Sequence, residues 1–267
     1  MIESDKGYLY FIKDEDQFES ELPLQGIIGK VKYNRQAIEN DSDWTAGKKH
    51  GDKSAADRFY QKAWDITKTE ALGAVIDNLK NTLFISIPSS SGDNVHPITL
   101  GENLAKEFGG KFVAGETCFD ALHERQSKYI PSLERVFYPR EYKAIDIDHL
   151  RKLTEGKEII IVDDIYTTGG SAGAFIRELA RNGMPIKTHT GYFGDGRLRV
   201  DNRTLGKLQK TLKNAGIKIR GRELAKYLTR KEAENIISFI NIARSEGHDI
   251  IGELTEKLQR ISGNRAV

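Results

Sequence analysis

The stretch from Glu158 to Phe175 leaves the chain few choices. Ile159-Ile160-Ile161-Val162 reads as an apolar strand of the kind covered on both faces, and it delivers two adjacent carboxylates, Asp163 and Asp164. The loop Thr167-Thr168-Gly169-Gly170-Ser171 follows, and a helix is predicted over Ala172 to Asn182, with Gly183 as its stop. Strand, acidic pair, small-residue loop and helix in that order belong at the C-terminal edge of a parallel sheet, where open α/β folds bind ligands. A helix start leaves unpaired N–H groups and a positive dipole end. Two glycines let an anion approach the backbone, and three hydroxyls add donors. This is a monophosphate cradle. Two carboxylates beside it suit the vicinal hydroxyls of a ribose, and they also suit Mg²⁺. Together they describe a site for ribose 5-phosphate.

The surrounding pattern fits an α/β fold, a mostly parallel sheet flanked by helices. Residues 81–195 alternate strand and helix: Thr82 to Ile87, a helix near Thr99 to Phe108 ending at Gly109-Gly110, then strands at Lys111 to Ala114, Glu158 to Val162 and Pro185 to Phe193. Residues 1–80 read as a mixed lead-in. Short strands are expected at Tyr8 to Ile12 and Gly26 to Tyr33, a polar loop at Asp41 to Lys53, and helical spacing at Ala55 to Leu79. From 197 to 267 the strand rhythm stops and a helical C-terminal extension is predicted. Thr229-Arg230-Lys231-Glu232 is a capping box, and Asp249 opens a last helix. The expected division is therefore a domain over 1–196 and an extension over 197–267.

The run 159–171 is similar to the phosphoribosyl-pyrophosphate motif of type I phosphoribosyltransferases, and Asp-Asp-Ile-Tyr-Thr-Thr-Gly looks most like the competence protein F group. The strand–helix order fits that fold over about 80–195. By this resemblance Asp163 and Asp164 would bind the ribose hydroxyls and act in catalysis, while Thr167, Thr168, Gly169, Gly170 and Ser171 would bind the 5-phosphate. Purine-salvage relatives carry an acidic residue where Thr167 stands, so a hypoxanthine- or guanine-type activity is disfavoured. Pro88-Ser89-Ser90-Ser91-Gly92 falls where the family places its pyrophosphate loop. The Arg-Gly-Phe-Asn-Gln run of the competence group is missing, and Gly92-Asp93-Asn94-Val95-His96 stands nearby instead. The family's closing loop would span Glu116 to Tyr142, where Arg125, Lys128, Arg135 and Arg140 are candidates for the leaving diphosphate; Arg125 and Lys128 are assigned to it here with Ser89, Ser90, Ser91 and Gly92. Base recognition would fall to residues 1–35 or to Tyr192-Phe193-Gly194-Asp195, and the aromatic pair there fits a core role equally. The implied cofactor is Mg²⁺, with no dedicated metal ligands; His96, His123 and His189 lack ligand spacing and read as structural. A homodimer is compatible with the family.

Charge adds a second theme. The chain of 267 residues has a net charge of only +2. Yet Arg197 to Lys231 holds twelve Lys and Arg against Asp201 and Glu223, a net +10, which leaves −8 for the rest. Such asymmetry can mark a polyanion partner, and residues 204–228 have the spacing of a helix–turn–helix, so nucleic acid is a candidate partner for 197–231. No apolar run reaches the ~20 residues of a membrane helix, the first residues lack the order of a signal peptide, and Cys118 stands alone. A cytoplasmic protein without a membrane partner is expected. Three functional classes stay open here: a transferase moving ribose 5-phosphate to a nitrogen acceptor; a non-catalytic phosphoribosyl-pyrophosphate-sensing or nucleic-acid-binding regulator; and a defence or mobile-element effector acting on nucleotides.

Overall fold

The computed structural model describes residues 26–28, 38–89, 92–122, 132–138, 140–194, 197–247 and 251–264. In chain order its elements are β1 (Ile27–Ile28), α1 (Ser42–Lys49), α2 (Lys53–Ala63), α3 (Ile66–Gly73), β2 (Thr82–Ser86), α4 (His96–Phe108), β3 (Lys111–Val113), β4 (Phe119–Ala121), α5 (Ser132–Phe137), β5 (Tyr142–Ala144), α6 (Ile147–Thr154), β6 (Glu158–Tyr166), α7 (Gly170–Arg181), β7 (Ile186–Gly194), α8 (Asn202–Asn214), α9 (Gly221–Lys226), α10 (Arg230–Ser245) and α11 (Ile251–Asn264). The fold is α/β. Five parallel strands lie in the order β1-β7-β6-β2-β3, and β4 and β5 form a separate antiparallel pair.

The continuous apolar character of β6 follows from its central position. Ile159 and Ile161 pack with Phe175, Ile176 and Leu179 of α7 on one face. Ile160 and Val162 pack with Phe59, Leu100 and Leu104 on the other, where α2 and α4 lie. Each of these isoleucines is at most 2% exposed, and burial of such a side chain stabilises by roughly 1.5–3 kcal/mol. The strand runs four residues further than the apolar stretch suggests: Asp163, Ile165 and Tyr166 pair with Gly191, Phe193 and Gly194 of β7. Gly191 is required there, because a Cβ would meet the Asp163 carbonyl oxygen at 2.7 Å and the Tyr166 ring at 2.8 Å.

The lead-in departs from the expected loop at 41–53. The Asp41 carboxylate accepts from the Asp43 and Trp44 N–H groups, starts α1 there, and buries Trp44. The helical spacing over 55–79 resolves into two helices, because Asp65 caps a new start at the Thr67 N–H. Ile27–Ile28 is a strand as expected, whereas Tyr8 to Ile12 and residues 29–33 lie outside the described residues.

The C-terminal region is helical. Leu205, Leu208, Leu212, Leu224, Leu228, Ile236, Ile240, Leu254 and Leu258 form its own core. The capping box at Thr229 is present in both directions. One element from the middle of the chain joins this core: Val136 of α5 is fully buried in it, flanked by Leu133 and Phe137.

Candidate functional site

The connections define where a ligand can enter. From β2 the chain passes through α4 to β3, on one side of the sheet centre. From β6 it passes through α7 to β7, on the other side. Adjacent strands whose crossovers leave in opposite directions open a crevice beyond their C-terminal ends. The crevice between β2 and β6 is therefore lined by Asp163 and Asp164 from one strand and, among the described residues, by 87–89 and 92–95 after the other.

The two carboxylates have unequal surroundings. Asp164 is 6% exposed, and its Oδ2 accepts from Lys48 Nζ at 2.5 Å and from Asn94 Nδ2 at 2.8 Å. Burial alone would raise its pKa, but the Lys48 ammonium and the Asn94 amide outweigh it and hold the group below the usual carboxylate range. Asp163 Oδ1 accepts the Asp164 N–H at 2.8 Å. Burial, and then the charge of Asp164, push Asp163 well above that range. Among the described residues no N–H group reaches Asp163 Oδ2 or Asp164 Oδ1. Each carboxyl group thus keeps one oxygen that no N–H group of the described residues reaches.

Lys48 reaches Asp164 because α1 is pinned over the crevice. The Val95 N–H donates to the Gly47 carbonyl at 3.2 Å, and a side chain at 47 would strike His96 at 2.8 Å. His96 stacks on Trp44 with ring centroids 4.1 Å apart and its Nε2 lies 2.9 Å from the Trp44 carbonyl oxygen. A carbonyl only accepts, so Nε2 carries the hydrogen. Burial lowers the His96 pKa and keeps the ring neutral. Lys48 Nζ also lies 4.8 Å from the Trp44 ring centroid. His96 is fully buried and packs in the core beneath α1. Tyr192 is fully buried among Trp44, Phe59 and His96 and is a core residue. Phe193 packs partly buried on the same core, and Asp195 lies outside the described residues.

The loop after β6 is a strand-to-helix corner. Gly169 has φ +70°, the left-handed region, and starts α7 without a side-chain cap. Thr167 is exposed, while Thr168, Gly170 and Ser171 are partly buried. The loop does not face solvent alone. Thr229 Oγ1 donates to the Thr168 carbonyl at 2.5 Å, and the Arg230 N–H donates to the Leu198 carbonyl at 2.8 Å. A Cβ on Gly169 would lie 2.3 Å from Leu198 Cδ2, and one on Gly170 would lie 2.8 Å from Glu232 Oε1. Glu232, 1% exposed, thus sets a carboxylate against the positive end of α7.

Of the cations proposed for a closing loop, the fold brings Arg140 to this corner. It stands beside the Tyr142 phenol, which also neighbours Ser171 and Asp163; burial raises the pKa of that phenol. Arg135 sits in α5, away in the helical core region. Arg125 and Lys128 lie outside the described residues, as do Ser90 and Ser91 of the Pro88–Gly92 loop. Ser89 is partly buried, and Gly92 is exposed with φ +70° and open space around it. Asn94, two residues on, donates to Asp164.

Neither Lys48 nor Asn94 was a candidate from sequence. Lys48 lies in a stretch that reads as a polar loop, and a lone lysine 116 residues from its partner leaves no local signature. Among the described residues no group of three or more His, Cys, Asp or Glu gathers as a metal cage. Two carboxylates with oxygen donors only do fit Mg²⁺ that takes its remaining ligands from a phosphorylated substrate and water. Comparison with known proteins returns no matching family model, curated protein or solved structure.

Proposed function

We propose that the crevice between β2 and β6 binds a ribose 5-phosphate moiety, with 5-phosphoribosyl 1-pyrophosphate and Mg²⁺ as its full ligand, and that the chain is a type I phosphoribosyltransferase-like transferase. The observation that carries this reading is the Asp163–Asp164 pair at the switch-point crevice, followed directly by the Thr167–Ser171 loop at the start of α7. Asp163 Oδ2 and Asp164 Oδ1 would accept from the vicinal hydroxyls. The 5-phosphate would take the loop hydroxyls and amides. When bound, Mg²⁺ would neutralise the diphosphate, with Asp163 and Asp164 as its protein oxygen donors.

In the transfer the bond from ribose C1 to the diphosphate oxygen breaks and a bond from C1 to the acceptor nitrogen forms. The acceptor proton passes to solvent and diphosphate leaves. Positive charge grows on the ribose ring, and the ionised Asp164 stabilises it electrostatically without forming a covalent bond. Positioning of the two substrates is the protein's other contribution. The acceptor is left as a nitrogen base of undefined type.

A second reading has a specific observation behind it. Thr229, which caps α10, and Glu232 within it grip the same loop that would hold the phosphate, so occupancy would be felt directly in the helical region. This favours a ligand-sensing regulator that keeps the ribose-phosphate site and does not turn over.

Calorimetric titration with phosphoribosyl pyrophosphate and Mg²⁺, with ribose 5-phosphate and an unrelated nucleotide as controls, tests the site. Saturable binding that is lost in the Asp163→Asn/Asp164→Asn double variant, with cooperative unfolding retained, is the expected result. No binding at millimolar ligand by the folded protein would overturn the proposal. Diphosphate release on addition of a base acceptor would then separate transferase from sensor.

A further inference from the structure

Between Asn202 and Arg222 the chain contains no carboxylate and seven cations: Arg203, Lys207, Lys210, Lys213, Lys218, Arg220 and Arg222. All seven are exposed, and none pairs with a carboxylate among the described residues. Their placement is regular. Leu205, Leu208 and Leu212 turn one face of α8 into the helical core. Positions 203, 207, 210 and 213 recur at three and four residues on the opposite face. At 1.5 Å per residue that stripe runs for about 15 Å. It ends at the turn after α8, where Lys213, Lys218, Arg220 and Arg222 line an open groove of about 580 Å³.

We infer that this stripe and groove form a docking surface for the sugar–phosphate backbone of a nucleic acid. Charge complementarity selects the partner class, and geometry narrows it. The cationic track extends well past the groove, so a mononucleotide would leave most of it unused, whereas a polymer with closely spaced phosphates engages all of it. A membrane surface is disfavoured, since none of the exposed large hydrophobic residues, Leu79, Leu122, Tyr138, Ile145 and Ile242, lies in this segment. The exposed amides of Gln209 and Asn214 add donors along the same track.

The mode differs from a helix–turn–helix. There the second helix enters the major groove, but here α9 has six residues, and Gly221, Leu224 and Ala225 of it are buried. Six of the seven cations lie on the first helix and the turn, and Arg222 stands at the very start of α9. Contacts of this kind read phosphate spacing and carry no base specificity. The surface is independent of the ribose-phosphate reading, because it shares no residue with the Asp163–Ser171 corner.

Fluorescence anisotropy of the full chain with a labelled random-sequence 20-base-pair DNA, the matching RNA duplex and a single strand tests this over 50–200 mM salt. We expect micromolar binding at low salt that is indifferent to sequence. A steep salt dependence is also expected, with a log–log slope of about −4 if four to five phosphates are neutralised. Lys207→Glu/Lys210→Glu/Lys213→Glu should weaken binding at least tenfold, and Lys218→Gln/Arg220→Gln/Arg222→Gln should do so with a shallower salt slope. Reversal of three exposed lysines elsewhere, Lys106→Glu/Lys111→Glu/Lys152→Glu, should lower affinity less than threefold. Absence of binding at 50 mM salt would overturn the inference. So would an equal loss in the control variant, or equal affinity for polyglutamate.

Discussion

Lys48 Nζ lies 2.5 Å from Asp164 Oδ2, joining a helix of the N-terminal lead-in to the central strand across 116 residues of sequence. The acceptor is 6% exposed, so the pair closes one wall of the crevice and fixes which carboxylate is ionised. Lys48→Met would leave a buried charge supported only by Asn94. Lys48 is about one-third exposed, so the loss should be about 1–3 kcal/mol rather than the larger cost of breaking a fully buried pair. Urea unfolding of Lys48→Met, Asp164→Asn and the double variant checks this. The double variant should be more stable than the sum of the single losses allows, and strict additivity would show the contact to be unimportant.

Asp163 presents the opposite case. Its pKa in the folded chain is raised by burial and by Asp164, above the unfolded value of about 3.9. The native state therefore holds the proton more tightly than the unfolded state. The stabilisation from that proton is complete below pH ~3.9 and is lost as pH rises through the folded value. Asp163→Asn has no proton to lose and still offers an oxygen to the Asp164 N–H. It should melt ~2–4 °C higher than the parent at pH 7, the size of shift that about 1 kcal/mol produces in a chain of this length. The difference should vanish near pH 3.5. A gain that persists unchanged into acid would point to packing instead.

Gly169 and Gly183 both have left-handed backbone, at φ +70° and +78°. An alanine at 183 meets nothing within 4 Å, so it should cost only the backbone strain, ~1–2 kcal/mol. An alanine at 169 adds a collision with Leu198 Cδ2 at 2.3 Å. Thermal unfolding should show Gly169→Ala to be worse than Gly183→Ala by ~1–3 kcal/mol, the usual cost of overpacking. Equal losses would mean that the corner yields freely.

Thr229 and Glu232 do separate jobs that substitution can separate. The Thr229 hydroxyl accepts the Glu232 N–H and donates to the Thr168 carbonyl. Thr229→Val should therefore destabilise by ~1–2 kcal/mol. Glu232→Gln keeps an oxygen for the Thr229 N–H, which Glu232 Oε2 now accepts at 2.8 Å, and removes the negative charge beside Gly170. It should bind ribose 5-phosphate several-fold more tightly in calorimetry, because anion and carboxylate no longer compete for the end of α7. An unchanged affinity would place the phosphate elsewhere on the loop, and a lower one would remove it from α7 altogether.

Much of this was legible because it is local. Ile159 to Val162 could be nothing but a buried strand, Gly109 stops α4 in the left-handed conformation, and Thr229-x-x-Glu232 forms the capping box its spacing predicts. The acidic pair and the loop after it were visible for the same reason, since they are contiguous. What sequence did not disclose is assembled from distant segments. Lys48 and Asn94 meet Asp164 only after α1 and the loop following β2 have packed. Leu198, Thr229 and Glu232 meet residues 168–170 only after the helical region has folded back onto the α/β body. The helix at 42–49 was hidden by composition: Asp, Gly and Lys look like a loop until Trp44 is buried and Asp41 caps the turn.

Val136 lends a hydrophobic side chain from the middle of the chain to a core built otherwise from residues after 197. The two halves of the molecule are thus laced together rather than strung in series. A cut at the apparent boundary near 196 would not yield two clean pieces. The N-terminal fragment would carry Leu133, Val136 and Phe137 as a naked greasy patch, and the C-terminal fragment a matching hole. Any dissection of the two proposed activities must therefore work by altering surfaces on the intact chain.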